Sequence, residues 1–211
     1  MVRNDSESLV ERLRRLDYIE SDEVARAFRN VPREEFVPEN LRDRAYEDRP
    51  LRIGEGQTIS APHMVAMITE LLNLEKGNKV LEIGTGRGYH AAITAEIVGP
   101  KNVYSVERHE KLAQAARDNL SKTGYREVMV VIGDGSKGLP EYGPYDRIYL
   151  TCAAPEISET FLSQLTDGGV MVLPIGRGSQ TLYRVEKRGD GIKKESHGSV
   201  RFVPLVGDEG F

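Results

Sequence analysis

The hydrophobic rhythm of the chain changes once, near residue 79. Before it, apolar residues recur every three or four positions, the spacing of one helix face. Leu9, Val10, Leu13 and Leu16 make residues 6–18 such a segment. A second helix is predicted to start at Ser21, because Asp22 and Glu23 suit the positive end of a helix dipole. Val24, Ala27 and Phe28 share its apolar side, and Pro32 ends it. Residues 32–50 read as irregular, rich in charge and interrupted by proline. A third helix is predicted from Pro62 to Leu72, with Val65, Ile68 and Leu72 on one stripe.

After residue 79, short apolar runs alternate with helical segments. KVLEIG (79–84), NVYSVE (102–107), EVMVVIGD (127–134), DRIYLTCA (146–153) and VMVLPI (170–175) read as strands. Residues 89–98, 109–123 and 156–166 read as helices, the first stopped by Gly99-Pro100 and the second capped by Gly124. Residues 181–205 read as a hairpin turning at Gly189-Asp190-Gly191, then a further extended segment. Strands alternating with helices predict a parallel sheet covered on both faces, open and doubly wound. Ligands of such sheets bind outside the carboxyl ends of the strands. The loops at 84–88, 107–109, 134–138 and 152–156 should therefore meet.

Composition narrows the function. A length of 211 residues favours one domain. The net charge of −4 argues against a partner made of nucleic acid, which wants a basic face. No apolar run approaches the ~18 residues of a membrane span, and the first 20 residues lack the apolar stretch of a leader. Cys152 is the single cysteine, and the 4 histidines show no metal-ligand spacing, so neither a disulfide nor a metal site is expected. The chain reads as a soluble, cytoplasmic enzyme using a cofactor or small ligand.

The chemistry concentrates at the strand ends. Glu82-Ile83-Gly84-Thr85-Gly86-Arg87-Gly88 places alternate glycines between a strand and a helix, where backbone must turn tightly and a ligand approaches closely. The spacing is G-x-G-x-G, not the G-x-G-x-x-G of dinucleotide folds. An acid two residues before it suits a cationic amino group and would repel a pyrophosphate. This combination looks like the first motif of class I S-adenosylmethionine-dependent methyltransferases. Glu107, ending its strand, suits ribose hydroxyls, or else caps the next helix. Asp134, between Gly133 and Gly135, can accept from an adenine amino group, or else serves only a turn. Thr151-Cys152-Ala153-Ala154-Pro155 offers no base-stacking aromatic, and Cys152 reads as a small buried residue rather than a nucleophile. GQTISAPH (56–63) brings Ser60 near His63, but no G-x-S-x-G elbow exists and Pro62 marks a helix start. Ser60 or Ala61 then begins that helix, and His63 has no assigned partner.

Taken together, VPREEFVP (31–38), GQTISAPHMVAM (56–67), VLEIGTGRGYHAAITAEIVG (80–99), GDG (133–135), PYDRIY (144–149), LTDGGVMVLPIG (165–176) and VRFVPLVGDEGF (200–211) resemble the protein-L-isoaspartate(D-aspartate) O-methyltransferase family. The resemblance covers nearly the whole chain, and TISAPHM and the late FVPL are its most specific parts. It implies methyl transfer from S-adenosylmethionine, leaving S-adenosylhomocysteine, to the free carboxylate of isoaspartyl residues in damaged proteins and peptides. It implies an α/β, doubly wound, mostly parallel seven-stranded sheet, its last two strands interchanged relative to most class I methyltransferases, with an N-terminal helical segment. Within one domain, residues 1–75 would form a cap with a substrate and cofactor loop, 76–178 the cofactor core, and 179–211 a hairpin and peptide-binding strand. Thr58, Glu82, Gly84, Thr85, Gly86, Gly88, Glu107, Asp134 and Gly135 are expected at the cofactor. Ser60 is expected at the methyl-transfer centre, and Ile59, Val203, Pro204 and Leu205 against the peptide. Arg87 departs from the family, whose members often carry a small residue or cysteine there, and receives no role. A monomer is expected. An RNA- or small-molecule-directed class I methyltransferase is the alternative, disfavoured by the net charge and the missing Asn-Pro-Pro-Tyr pattern.

Overall fold

The computed structural model describes residues 2–211. Helices α1 (Val2–Arg15), α2 (Asp22–Asn30) and α3 (Pro62–Leu72) precede the main sheet. Ser21 caps α2, its side chain accepting from the N–H of Val24 at 3.2 Å. Leu9, Val10 and Leu13 are buried, but Leu16 lies beyond the end of α1 and is 52% exposed, so it does not share their stripe. Between α2 and α3 the chain makes two 3-10 turns and then an antiparallel hairpin, β1 (Leu51–Gly54) and β2 (Gln57–Ile59). This hairpin was not expected.

The main sheet begins with β3 (Val80–Ile83), followed by α4 (Tyr89–Val98), β4 (Val103–Glu107), α5 (Glu110–Lys122), β5 (Met129–Ile132), β6 (Tyr145–Leu150), α6 (Glu159–Gln164), β7 (Leu165–Ile175), β8 (Gln180–Arg188) and β9 (Gly191–Val200). Its order is β5-β4-β3-β6-β7-β8-β9, seven strands in all. The first five of that order are parallel, and β8 and β9 are antiparallel. The last two strands form a hairpin in chain order, with β8 inside and β9 at the edge, as the resemblance implies. The expected helix over 156–166 is shorter, and β7 starts earlier than expected. Leu165 pairs with Tyr145 and Val170 with Arg147, so the stretch around Gly168-Gly169 is a bulge inside the strand rather than a lead into it.

The chain crosses back between β4 and β6, which flank β3 on either side. That reversal opens a crevice at the carboxyl ends of β3 and β6. Side chains alternate across β3: Val80 packs in the core under the N-terminal helices, whereas Leu81 and Ile83 pack in the opposite core with Phe161 of α6. Glu82 therefore points to the same side as Val80, into the layer that holds α3 and α4. Among the described residues no helix is long and apolar enough to cross a membrane, and no group of three or more His, Cys, Asp or Glu could hold a metal.

Candidate active site

The turn after β3 carries the first motif. Gly84 has φ +95, and a Cβ there would collide with Thr151 Oγ1, which donates to the Gly84 carbonyl at 2.6 Å. This tie clamps the end of β3 to the end of β6. Gly86 and Gly88 also have positive φ and lead the turn into α4. Thr85 is buried and shares a hydrogen bond with Ser105 at 2.5 Å.

Around this turn, at the carboxyl ends of β3, β4 and β6, lies a cleft. Its walls include Ile53, Thr58, Gly86, Glu107, Gly135 and the segment Val203–Val206. Glu107 is 5% exposed; one oxygen accepts from the N–H of Gly86 at 2.8 Å and the other from the N–H of His109 at 2.9 Å. It thus holds the approach to α5 and also lines the cleft. Cys152 borders the cleft as a buried thiol. Burial, then the charges of Glu107 and Glu82, push its pKa up to about 12, so it is no nucleophile.

Asp134 has other company. Its carboxylate accepts from the N–H and hydroxyl of Ser136, at 2.9 and 2.7 Å, and from the N–H of Asp208 at 2.9 Å. Burial alone would raise its pKa, but these donors and Lys137 outweigh it and hold the acid below its ordinary value. Gly135 lines the cleft beside it. The residues after Val206, unassigned from sequence, dock here. Gly207 has no room for a Cβ, which would collide with the Asp134 carboxylate. The N–H of Glu209 donates to Ser136 Oγ at 3.0 Å, and its carboxylate accepts from Ser158 and Thr160 at 3.0 and 2.6 Å.

A second, wider groove borders Tyr18, Ser60, His63, Met67, Phe202 and Val203. Thr58, Thr151 and Val203 belong to both the cleft and the groove, so the two open into each other. Ser60 lines the groove and also a smaller cavity behind the glycine turn. Its hydroxyl forms no hydrogen bond within the described residues. Ser60 does not cap α3: the N-cap is Ala61, which has no side-chain acceptor. Asp48 does that work from a distance, accepting from the N–H of His63 at 2.9 Å and pairing with His63 Nδ1 at 2.8 Å. His63 thus has a partner, and it is not Ser60.

The expected peptide contacts sort differently. Val203 reaches the groove, whereas Pro204 and Leu205 line only the cofactor-side cleft. The Leu205 N–H donates to Ala153 at 2.8 Å, and the Leu205 carbonyl accepts from Phe211 at 2.8 Å. Leu205 therefore has no free main-chain group to pair with a peptide, contrary to the expectation drawn from an extended segment. Ile59 is 7% exposed and packs in the core, so its side chain is not a groove surface.

Glu82 is fully buried. Ser105 donates to one of its oxygens at 2.5 Å, and the other, Oε1, has no hydrogen-bond partner. Burial raises its pKa to about 8, against the lowering effect of the Ser105 and Tyr149 hydroxyls and with a small push from Glu107. The small cavity it lines also exposes Arg87, Tyr89 and His90.

Sequence reasoning missed Arg33, Asp48 and His90. Arg33 is 0% exposed and donates to the carbonyls of Ala45 and Ser60 at 2.8 and 2.7 Å. Its guanidinium lies 4.6 Å from the centre of the Tyr89 ring. It thereby pins the main chain that presents Ser60. The only sequence signal was its place in VPREEFVP, which carries no hint of a partner 27 positions away.

The sequence profile of the protein-L-isoaspartate(D-aspartate) O-methyltransferase family matches residues 4–210. The protein-L-isoaspartate O-methyltransferase of Methanopyrus kandleri is 58% identical over 213 residues, covering 99% of this chain and 94% of its own length. A solved protein-L-isoaspartate O-methyltransferase superposes with a TM-score of 0.88 at 34% identity, over 97% of this chain and 67% of that one. A protein-L-isoaspartate O-methyltransferase from Plasmodium falciparum, crystallised with S-adenosyl-L-homocysteine, superposes with a TM-score of 0.84 at 28% identity, over 95% of this chain and 97% of that one. A profile match over almost the whole chain, on a fold and strand order of this kind, places the chain in the protein-L-isoaspartate(D-aspartate) O-methyltransferase family.

Proposed function

We propose that the chain transfers a methyl group from S-adenosylmethionine to the free carboxylate of L-isoaspartyl residues in damaged proteins and peptides. One observation carries this reading: a cleft at the strand ends shares Thr58, Thr151 and Val203 with a wider groove, and Ser60 lines that groove and the cavity behind the glycine turn with an uncommitted hydroxyl. Glu107 and Gly135 would meet the nucleoside of the cofactor, with Thr58, Gly84, Gly86 and Gly88 shaping the walls. Glu82 would meet its amino group, and the unpartnered buried Oε1 fits a cationic donor. Bound there, the cofactor supplies an electrophilic methyl carbon on a sulfonium.

The nucleophile needs no activation. A side-chain carboxyl has a pKa near ~4 and is ionised at neutral pH, so no general base is required. The isolation of Ser60 from the Asp48–His63 pair is consistent with that. Ser60 donates a hydrogen bond that fixes the incoming carboxylate, and Arg33 fixes Ser60. Alignment of this kind lowers a barrier by on the order of 7–11 kcal/mol. The amide nitrogen of the following residue then attacks the resulting ester and expels methanol, closing a succinimide that water partly reopens as normal aspartate.

In this reading Val203 contacts the peptide from the groove side, Ile59 only through its main chain, and Pro204 and Leu205 separate peptide from cofactor. The segments 1–75, 76–178 and 179–211 act as cap, cofactor core and substrate-side strand of one domain. The chain works as a monomer in the cytoplasm, on protein rather than nucleic acid, as its net charge of −4 favours.

The test is transfer of label from S-adenosylmethionine to matched peptides carrying isoaspartate or aspartate. Label is expected on the isoaspartyl peptide alone, and Ser60→Ala should cut turnover by on the order of a hundredfold, the scale of lost alignment. Equal labelling of both peptides would refute the substrate, and near wild-type turnover in the variant would refute the role of Ser60.

A further inference from the structure

The chain contains three Asp-Gly steps, Asp134-Gly135, Asp167-Gly168 and Asp190-Gly191, and no Asn-Gly step. An aspartate followed by glycine is a weak point of any polypeptide. The glycine amide nitrogen lies within five-membered-ring reach of the aspartyl side-chain carbon, and no side chain on the glycine crowds the attack. The three steps are alike in sequence, so the fold decides which of them is at risk.

Two are held. One Asp134 oxygen accepts from the N–H and hydroxyl of Ser136, and the other from the N–H of Asp208. Gly135 is buried, and a Cβ there would collide with Ile83. The Asp167 carboxylate accepts from the N–H of Gly189 at 2.6 Å, and Gly168 lies in the bulge of β7. Turning either aspartate onto its own main chain would break these bonds.

Asp190 has no such anchor. With Gly189 it forms the two-residue turn between β8 and β9, closed by the pair Arg188 and Gly191. Gly189 has φ +56, as the first central residue of such a turn requires. Residues 188–194 are all exposed, and the Asp190 carboxylate has no hydrogen bond or ion pair among the described residues. Exposed turn tips are also where a main chain moves most easily.

We propose that Asp190 is an isomerisation site, and that isoaspartate formed there makes this protein a substrate for a second copy of itself. The Gly191 nitrogen bonds to the Asp190 side-chain carbon, while the N–H hydrogen and the carboxyl hydroxyl leave as water. The product is a succinimide. Water then adds to the main-chain carbonyl of the ring and opens it. The chain is left linked through the side chain, with a free α-carboxylate at residue 190. One water is lost and one gained, so the mass is unchanged. That carboxylate is the nucleophile of the proposed methyl transfer, so this half of the inference rests on that reading. The transfer runs between molecules. From the tip at Gly191 to Val200 in the groove, β9 has 10 residues, about 30 Å at ~3.3 Å per residue. The tip cannot reach its own groove while β9 stays paired with β8.

The test stores the whole protein warm at neutral pH without cofactor, then digests it. Chromatography with electron-transfer fragmentation distinguishes isoaspartate from aspartate at equal mass. It should find isoaspartate at residue 190 and not at 134 or 167. Fresh enzyme with labelled S-adenosylmethionine should then label the stored chains, at a rate proportional to the concentration of fresh enzyme. Gly191→Ala keeps the fold, because a Cβ there meets only the Arg188 carbonyl at an ordinary 3.8 Å. It should slow both isomerisation and labelling severalfold. Asp190→Glu, which would need a six-membered ring, should lose the label altogether. No isoaspartate at residue 190, or label undiminished in Asp190→Glu, would overturn the site. Stored chains that carry isoaspartate at residue 190 but stay unlabelled, while the same enzyme labels an isoaspartyl peptide, would overturn the exchange between copies and leave the proposed function intact. Label on neither chains nor peptide would overturn the function itself, and the exchange with it.

Discussion

At the scale of single residues, the site is built from groups held at some cost to the empty protein. Glu82 is the clearest. Its carboxyl titrates near 4.5 in an unfolded chain but near 8 when folded, because burial disfavours its charge. Between those values the unfolded chain has released a proton that the folded protein still holds, so stability falls as pH rises through that window and levels off above it. Below 4.5 both states keep the proton and the penalty vanishes. Glu82→Gln cannot ionise at all. Without cofactor, its melting temperature should equal that of wild type near pH 4.5 and exceed it near pH 8. Melting curves with a constant offset across that range would show that Glu82 is ionised in the fold. The variant should also hold S-adenosylhomocysteine more weakly, so stability and binding are exchanged at one carboxyl. Glu82, Glu107 and the glycines were legible because they are close in sequence and the turn chemistry is local. Arg33, Asp48 and His90 were not, because each acts on a partner that only folding brings near.

At the scale of elements, α3 determines where Ser60 stands. Its first turn is capped by Asp48, and its last carbonyls accept from two arginines of the sheet: Arg147 donates to Leu72 at 2.6 Å and Arg184 to Leu71 at 3.0 Å. The helix is therefore fixed at both ends, and the residue just before it inherits that rigidity. Asp48→Ala should cost about 1 kcal/mol of stability in chemical denaturation, the usual worth of a lost cap. It should lower turnover more than it lowers affinity for S-adenosylhomocysteine, since the cleft wall at Glu107 is untouched. Turnover unchanged by the substitution would mean that Arg33 alone fixes Ser60. The bounds of α3 and α4 were readable to the residue, because a strong apolar pattern begins after Pro62 or Gly88 and stops cleanly. The β1–β2 hairpin escaped notice because strands of 4 and 3 residues are too short for alternation to stand out among glycines and charges. The bulge in β7 hid for a related reason: its glycines look like a loop, and only pairing with β6 makes them part of a strand.

At the scale of the whole molecule, the cofactor cleft is a meeting of distant segments. One wall comes from Ile53–Thr58, the floor from the ends of β3, β4 and β6, and another wall from Val203–Val206. The last residues brace that wall. Asp208 and Glu209 hold the loop after β5, and Lys137 forms an ion pair with Asp208 at 2.7 Å. Removing Gly207–Phe211 should weaken S-adenosylhomocysteine binding by up to about tenfold, near 1.4 kcal/mol, with only a small drop in melting temperature. Tighter binding would show instead that the Asp208 N–H competes with the cofactor for Asp134. The class of fold was legible from the alternation of elements and the place of the last two strands from the family resemblance, whereas this bracing was not, because a run of Gly, Asp and Glu carries no periodicity to read.

The position of that wall along the chain has a consequence for synthesis. A ribosome delivers residues in order, and chains fold from the N-terminal side as they emerge. When the glycine turn, Glu82 and Glu107 are already in place, Val203–Val206 have yet to be made. A nascent chain can therefore have its five parallel strands and still lack one wall of the cofactor cleft. A chain stalled before residue 203 lacks that wall, so it should bind S-adenosylhomocysteine more weakly than the finished protein.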